Sequence, residues 1–286
     1  VHDETLRPFK EHRLNVDNVS LTTVNRAFEI VRRILNLAAR VWRHPNGMTW
    51  LQTAPLITVE RNRAARKAYP LSWEEQDLLF AELPELNRAM ATFKVNTGTR
   101  DQEVCSLQWS WELKVEALDA NVFVIPGEFV KNREDRLVVL NNEARDVVKQ
   151  MRGRHSTYVF AYQRPRTRSP DVYAKPQKAA REIETMNNTA WQNARKRAAQ
   201  KHREKLGRDA PWGFAHVRIH DLKHTFGRRL RAAAVPEETR AVLLGHKTRS
   251  MPTHYSVAEL AELLAAVNRI DRSLATPAIT LLRAAA

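Results

Sequence analysis

A single cysteine, Cys105, is present among 286 residues. That excludes an intrachain disulfide and a cysteine zinc site, and it fits a reducing compartment. No run approaches the roughly 18 apolar residues a membrane helix needs, and Val1–Lys10 contains no signal-peptide core. There is no Gly-x-x-x-x-Gly-Lys-Ser/Thr loop for nucleotide phosphates and no carboxylate pair at metal-ligating spacing. We therefore expect no cofactor, no metal site and no membrane partner. Internal repeats and low-complexity tracts are missing too. The first residue is valine rather than methionine, so a further N-terminal domain is expected ahead of it.

What the chain has in excess is positive charge: 47 Lys and Arg against 32 Asp and Glu, a net +15. Such a surplus favours a polyanionic partner, because basic side chains on phosphates release condensed counterions. A membrane surface, or solubility alone, would draw on the same surplus. Apolar residues make up 43%, enough for a packed core, and the length suits two domains better than one.

Val24, Phe28, Val31, Leu35, Ala38 and Trp42 recur at helical steps, with Arg26, Arg32, Arg33 and Arg40 interleaved and Pro45-Asn46-Gly47 as a stop. The polar run Glu60–Lys67 reads as a linker or a solvated loop, which places a boundary near Arg66. Ser72-Trp-Glu-Glu75 has the form of a capping box opening a helix toward Leu83, and another helix is expected from about Leu86 to Thr97. Val122–Ile125 and Leu137–Leu140 are β-rich and flank polar Lys131–Arg136, which predicts a small antiparallel sheet. Between Arg164 and Arg208 there are 13 Lys or Arg against four Asp or Glu, with Tyr173 and Trp191 among them. A helix over Ala190–Arg203, carrying Arg195, Lys196 and Arg197, could lie along a DNA groove; a solvated helix on a basic protein would look the same.

Four separated segments carry residues suited to chemistry on a phosphate. Thr97-Gly98-Thr99-Arg100 sets an arginine just after a turn-forming glycine and at the start of a helix. A phosphate there gains helix-terminal N–H groups and a guanidinium fork. Lys131 lies between the two strands, where a lysine is ordinarily just solvent-facing. In Ile219-His220-Asp221-Leu222-Lys223-His224-Thr225-Phe226, His220 and Lys223 share a helix face. Leu244-Gly245-His246 stands nine residues ahead of Tyr255, a residue that alone would read as half-buried packing.

In this order, and with Glu103, Leu107 and Trp109 following Arg100, these motifs resemble the tyrosine recombinases, the phage-integrase family. The resemblance covers roughly residues 71–264, and Thr22–Trp50 resembles the end of that family's core-binding helical domain. It implies a mainly α fold with a small antiparallel β-sheet (α+β). Residues 1–66 would be a partial helical core-binding domain and linker, with Arg26, Arg32 and Arg33 toward DNA. Residues 67–286 would be the catalytic domain, its C-terminal helix exchanged between protomers. The implied reaction is cleavage and rejoining of DNA strands through a 3′-phosphotyrosyl link on Tyr255. Arg100 and Lys223 would stabilise the phosphate oxygens and His246 would donate to them. His220 would be the base, Lys131 the acid, and Glu103 an orienting group. Implied partners are double-stranded DNA at core and attachment sites, and further copies of the chain in a synaptic dimer or tetramer, in the bacterial cytoplasm or nucleoid. Integration of a prophage or other mobile element, resolution of chromosome or plasmid dimers, and a catalytically weakened DNA-binding role all stay open. One position departs from the pattern: Lys223 stands where the family usually has arginine, keeping the charge but losing the planar two-donor fork.

Overall fold

In the computed structural model, residues 1–62, 66–162, 183–246 and 256–270 are described, and the chain divides into two units, Val1–Lys67 and Ala68–Ala286. Part of the basic stretch (with Tyr173), Tyr255, and the segment beyond residue 270 lie outside the described residues.

The first unit pairs helix α1 (Asp3–Asn15) with helix α2 (Leu21–Arg40). Ser20 opens α2 by accepting a bond from the Thr23 N–H, which satisfies one of the donors a helix start leaves unpaired. Val24, Phe28 and Ile57 form its small core, with Val31 and Leu35 packed beside them. Burial of that stripe leaves Arg26, Arg32, Arg33 and Arg40 on the exposed side. The helix ends before Trp42, whose ring meets Trp50 with centroids 5.0 Å apart.

The second unit begins with α3 (Trp73–Glu82) and α4 (Glu85–Thr97), then the single turn α5 (Asp101–Cys105). Ser72 and Glu75 form the reciprocal capping box their spacing predicts: Ser72 Oγ accepts from the Glu75 N–H at 3.1 Å, and Glu75 Oε2 from the Ser72 N–H at 2.8 Å. Strands β1 (Glu112–Val115), β2 (Ala120–Ile125) and β3 (Arg136–Val139) make one antiparallel sheet in sequence order, Phe123 opposite Val138. Helices α6 (Asn142–Met151), α7 (Thr189–Leu206), α8 (Trp212–Ala215), α9 (Ile219–Ala232), α10 (Glu237–Leu243) and α11 (Val257–Asn268) complete it. The fold is therefore mainly helical with one small sheet.

Helix α4 lies between α6 and α9, and α3 packs on α7. The main core gathers Phe93, Phe123 and Phe160 in edge-to-face contact, with Leu222 and Trp191. Trp191 is fully buried, so α7 offers no aromatic surface at that position. A second cluster joins Val139, Phe226, Leu230 and Leu243 to Leu263, Ala266 and Val267 of α11. Helix α11 thus packs on its own chain through Leu263, Ala266 and Val267. Leu263 and Ala266 face inward, and Val257 is half exposed.

Candidate active site

Gly98 ends α4 in the left-handed conformation (φ 63°), and a Cβ there would sit 2.4 Å from the Phe226 ring. The turn so made delivers Arg100 to the residue just before α5. Its backbone N–H donates to Glu103 Oε2 at 2.7 Å, and its Nη1 donates to Glu103 Oε1 at 2.8 Å. Glu103 is buried, and Arg136, the first residue of β3, donates to its Oε2 as well. One carboxylate therefore holds two guanidinium groups.

Helix α9 supplies the next side chains. Its first turn is moored by Asp221, which accepts from the N–H groups of Arg218 at 2.8 Å and Tyr69 at 3.0 Å. Thr225 Oγ1 accepts from the Leu71 N–H at 2.9 Å. This fixes His220 and Lys223 on the face toward Arg100's end of the unit. The rings of His220 and His224 meet at right angles, 4.8 Å apart.

The end of α10 is where the segments converge. Leu243 O accepts from Arg136 Nη2 at 3.4 Å, Leu244 O from Lys223 Nζ, and Gly245 O from Arg100 Nη2 at 3.3 Å. Three successive carbonyls that a helix end leaves without partners are each taken by a different basic side chain. Gly245 is left-handed (φ 58°), and a Cβ on it would lie 2.8 Å from Arg136 Nε, so only glycine lets the chain pass to His246. His220, Lys223, His224, Arg228, Leu244 and His246 line one open pocket of about 520 Å³.

The charge balance in this region is lopsided. Lys94 is fully buried beneath the site, donating to Thr99 O, and burial lowers its pKa to about 8. Burial, then Arg136 and Arg100, lower Lys223 to about 6. Burial lowers Arg136 to about 10 against the pull of Glu103. Burial alone would raise the Glu103 carboxyl, yet Arg136 and Arg100 carry it below the usual range. His220 is lowered by burial and then by His224 and Lys94; His246 is lowered by burial and then by Lys223 and Arg100. Both imidazoles are therefore neutral at neutral pH, as a proton acceptor must be. The site is short of negative charge in the way an anion-binding site is.

Arg100, Glu103, Lys223 and His246 are thus brought together, with His220 on the same pocket. Lys131 is exposed in the β2–β3 connection, and only its neighbour Asn132 reaches the cluster, donating to Gly245 O at 3.4 Å. Tyr255 lies outside the described residues. Of the basic residues expected on α7, Lys196 is exposed, but two are engaged with the protein itself. Arg195 donates to Val217 O at 3.4 Å, and Arg197 is bonded to the carboxylate and carbonyl of Glu82 on α3. Arg197 is half exposed all the same, and Arg195 partly so.

Sequence reasoning missed Arg136 and Lys94. A signal for Arg136 existed: strand alternation puts it on the face of buried Val138. Lys94, flanked by Phe93 and Val95 in an apolar helix, gave the same kind of sign.

Comparison with known proteins bears on what gathers such a site. A model of the Phage integrase family matches residues 74–261. The integrase of Salmonella phage P22 is 27% identical over 246 residues, covering 86% of this chain and 56% of that protein. The chain thus spans little more than half that relative's length. Among solved structures, the fold is similar to the XerH site-specific recombinase bound to a palindromic difH substrate in a post-cleavage complex. The TM-score is 0.52 at 16% identity, over 92% of this chain and 69% of that one. It is also similar to the Tn1549 transposon integrase in complex with transposon right end DNA (TM-score 0.50, 13% identity, 96% and 83% covered).

Proposed function

The chain belongs to the phage integrase family of tyrosine recombinases, and on that premise we propose that it cleaves and rejoins DNA strands at specific sites through a phosphotyrosine intermediate. What supports this reading best is the meeting of three separate segments at the end of α10, where Arg100 and Lys223 bond the carbonyls just before His246, and Lys223, His220 and His246 line one pocket. A backbone phosphate is the anion that such a pocket fits on a protein with net charge +15.

In the proposed reaction, the phenol oxygen of Tyr255 bonds to phosphorus and the bond from phosphorus to the 5′-oxygen breaks. A 3′-phosphotyrosyl link and a free 5′-hydroxyl result. The ester keeps the energy of the bond it replaces, so rejoining needs no other source. A phenol with a pKa near 10 must lose its proton, and neutral His220 takes it. Arg100, Lys223 and His246 offset the charge that grows on the non-bridging oxygens. Lys131, on its exposed connection, moves in with the DNA and protonates the leaving 5′-oxygen. Glu103 orients Arg100. Duplex DNA and further copies of this chain, as a dimer or tetramer, are the partners of this reading. Arg26, Arg32 and Arg33 of the first unit, with Arg195, Lys196 and Arg197 of α7, take phosphates along the duplex.

Lys223 favours a second reading on the same fold, a DNA-binding protein whose cleavage is attenuated. The two are told apart with a nicked suicide duplex and a denaturing gel. A protein–DNA band present in the natural chain and lost in Tyr255→Phe is expected. No band under any condition, with duplex binding intact, refutes the enzyme and leaves the binder. Integration and dimer resolution share this chemistry, and the genomic sequence the protein protects separates them.

A further inference from the structure

We propose that Arg136 is a positioning residue of this active site, setting the spacing of Arg100 and His246 and leaving Arg100 its positive charge for the phosphate. The inference rests on the recombinase reading above.

A buried carboxylate paired with a single arginine would neutralise it. Here Glu103 is shared, so the Arg100–Glu103–Arg136 group keeps a net positive charge. The two arginines are not equivalent. Arg136 is 2% exposed, its other terminal nitrogen is spent on Gly98 O at 3.0 Å and Leu243 O at 3.4 Å, and its unpartnered Nε is buried out of a ligand's reach. Arg100 is more open, and its long bond to Gly245 O is readily exchanged for a phosphate oxygen. One arginine holds and the other is free to bind.

The carbonyls that Arg136 takes explain the spacing. Gly98 O ends the turn that leads to Arg100, and Leu243 O ends the helix that leads to His246. A single planar group thus ties together the two segments that must grip one phosphate, with Glu103 as its third acceptor. The stem of Arg136 also lies against the backbone of Gly245 closely enough that no Cβ fits between them. Lysine offers charge at this position but not a rigid fork for three acceptors.

The test uses the full chain and the nicked duplex. Arg136→Lys is expected to bind duplex like the natural protein while its single-turnover cleavage, taken per folded molecule, slows by about 10²-fold, the effect of displacing reactive groups by an ångström or so. In Arg136→Met, Glu103 claims Arg100 alone. Adding Glu103→Gln to that variant is expected to restore part of the lost rate at equal folded fraction, which a merely structural role would not produce. Cleavage by Arg136→Lys within about threefold of the natural chain overturns the inference. So does a rate that only follows the folded fraction, with no gain from Glu103→Gln. A natural chain that forms no covalent product overturns the recombinase reading along with it, so the two failures are distinct.

Discussion

Consider the change Lys223→Arg. The ammonium is 5% exposed, donates to Leu244 O, and faces Arg100, Arg136, Lys94 and His246, with Glu103 the carboxylate nearest in effect. Its pKa of about 6 means that only about one site in a hundred carries the proton at pH 8, and about a quarter at pH 6.5. If the charged form stabilises the transition state, cleavage by the natural chain rises up to about twentyfold between those values. That figure is an upper bound, because an incoming phosphate raises the pKa. The lowered pKa of His220 limits how far its own protonation offsets that rise. Arginine stays protonated throughout and adds the second donor, a contact worth on the order of 10²-fold in rate. The variant should therefore cleave faster at pH 8 and show little dependence on acid. Single-turnover cleavage of the nicked duplex from pH 6.5 to 8 measures both, with thermal melting to confirm folding. An arginine variant that is no faster, or that keeps the full acid-dependent rise, refutes the reasoning.

Lys223→Met should raise thermal stability while abolishing cleavage. The folded protein binds fewer protons than the unfolded one, because Lys223 falls from 10.5 to about 6 on folding. The cost is absent above the unfolded value, grows as pH falls, and is complete near pH 6, so melting curves of the two proteins should diverge across that range. Lys131→Ala should slow cleavage of ordinary DNA yet spare a 5′-bridging phosphorothiolate, whose leaving group needs no proton; equal slowing of both removes Lys131 from the acid role. Gly98→Ala should destabilise the second unit by at least about 1–2 kcal/mol from the left-handed backbone alone, before the encounter with Phe226, as read by chemical denaturation.

Local signals read well from the sequence wherever local physics decides the outcome. The Ser72–Glu75 box, the Gly98 turn and strands β2 and β3 all depend on neighbours in the chain. Strand β1 escaped notice because Glu112–Val115 is short and mixed in polarity, and only pairing with β2 defines it. Helix α11 carries leucines at 260, 263 and 264, so it has two apolar stripes. Which one turns inward is settled by Phe226 and Leu243, far away in sequence. The same holds for the site. Arg100, His220, Lys223 and His246 could be picked out as an ordered pattern. Lys94 and Arg136 had only their apolar neighbours to mark them, because a charged residue reads as solvated until distant segments close over it.

Two carbonyls at the end of α10, those of Leu244 and Gly245, engage the side chains that a phosphate would claim, Lys223 and Arg100. The protein in effect carries an internal surrogate for its ligand, which holds the cationic side chains close without letting their repulsion spread them apart. A weakly polar molecule cannot outcompete these two backbone dipoles, whereas a full negative charge can. Anyone transplanting this chemistry to another scaffold would have to graft a helix terminus along with the side chains.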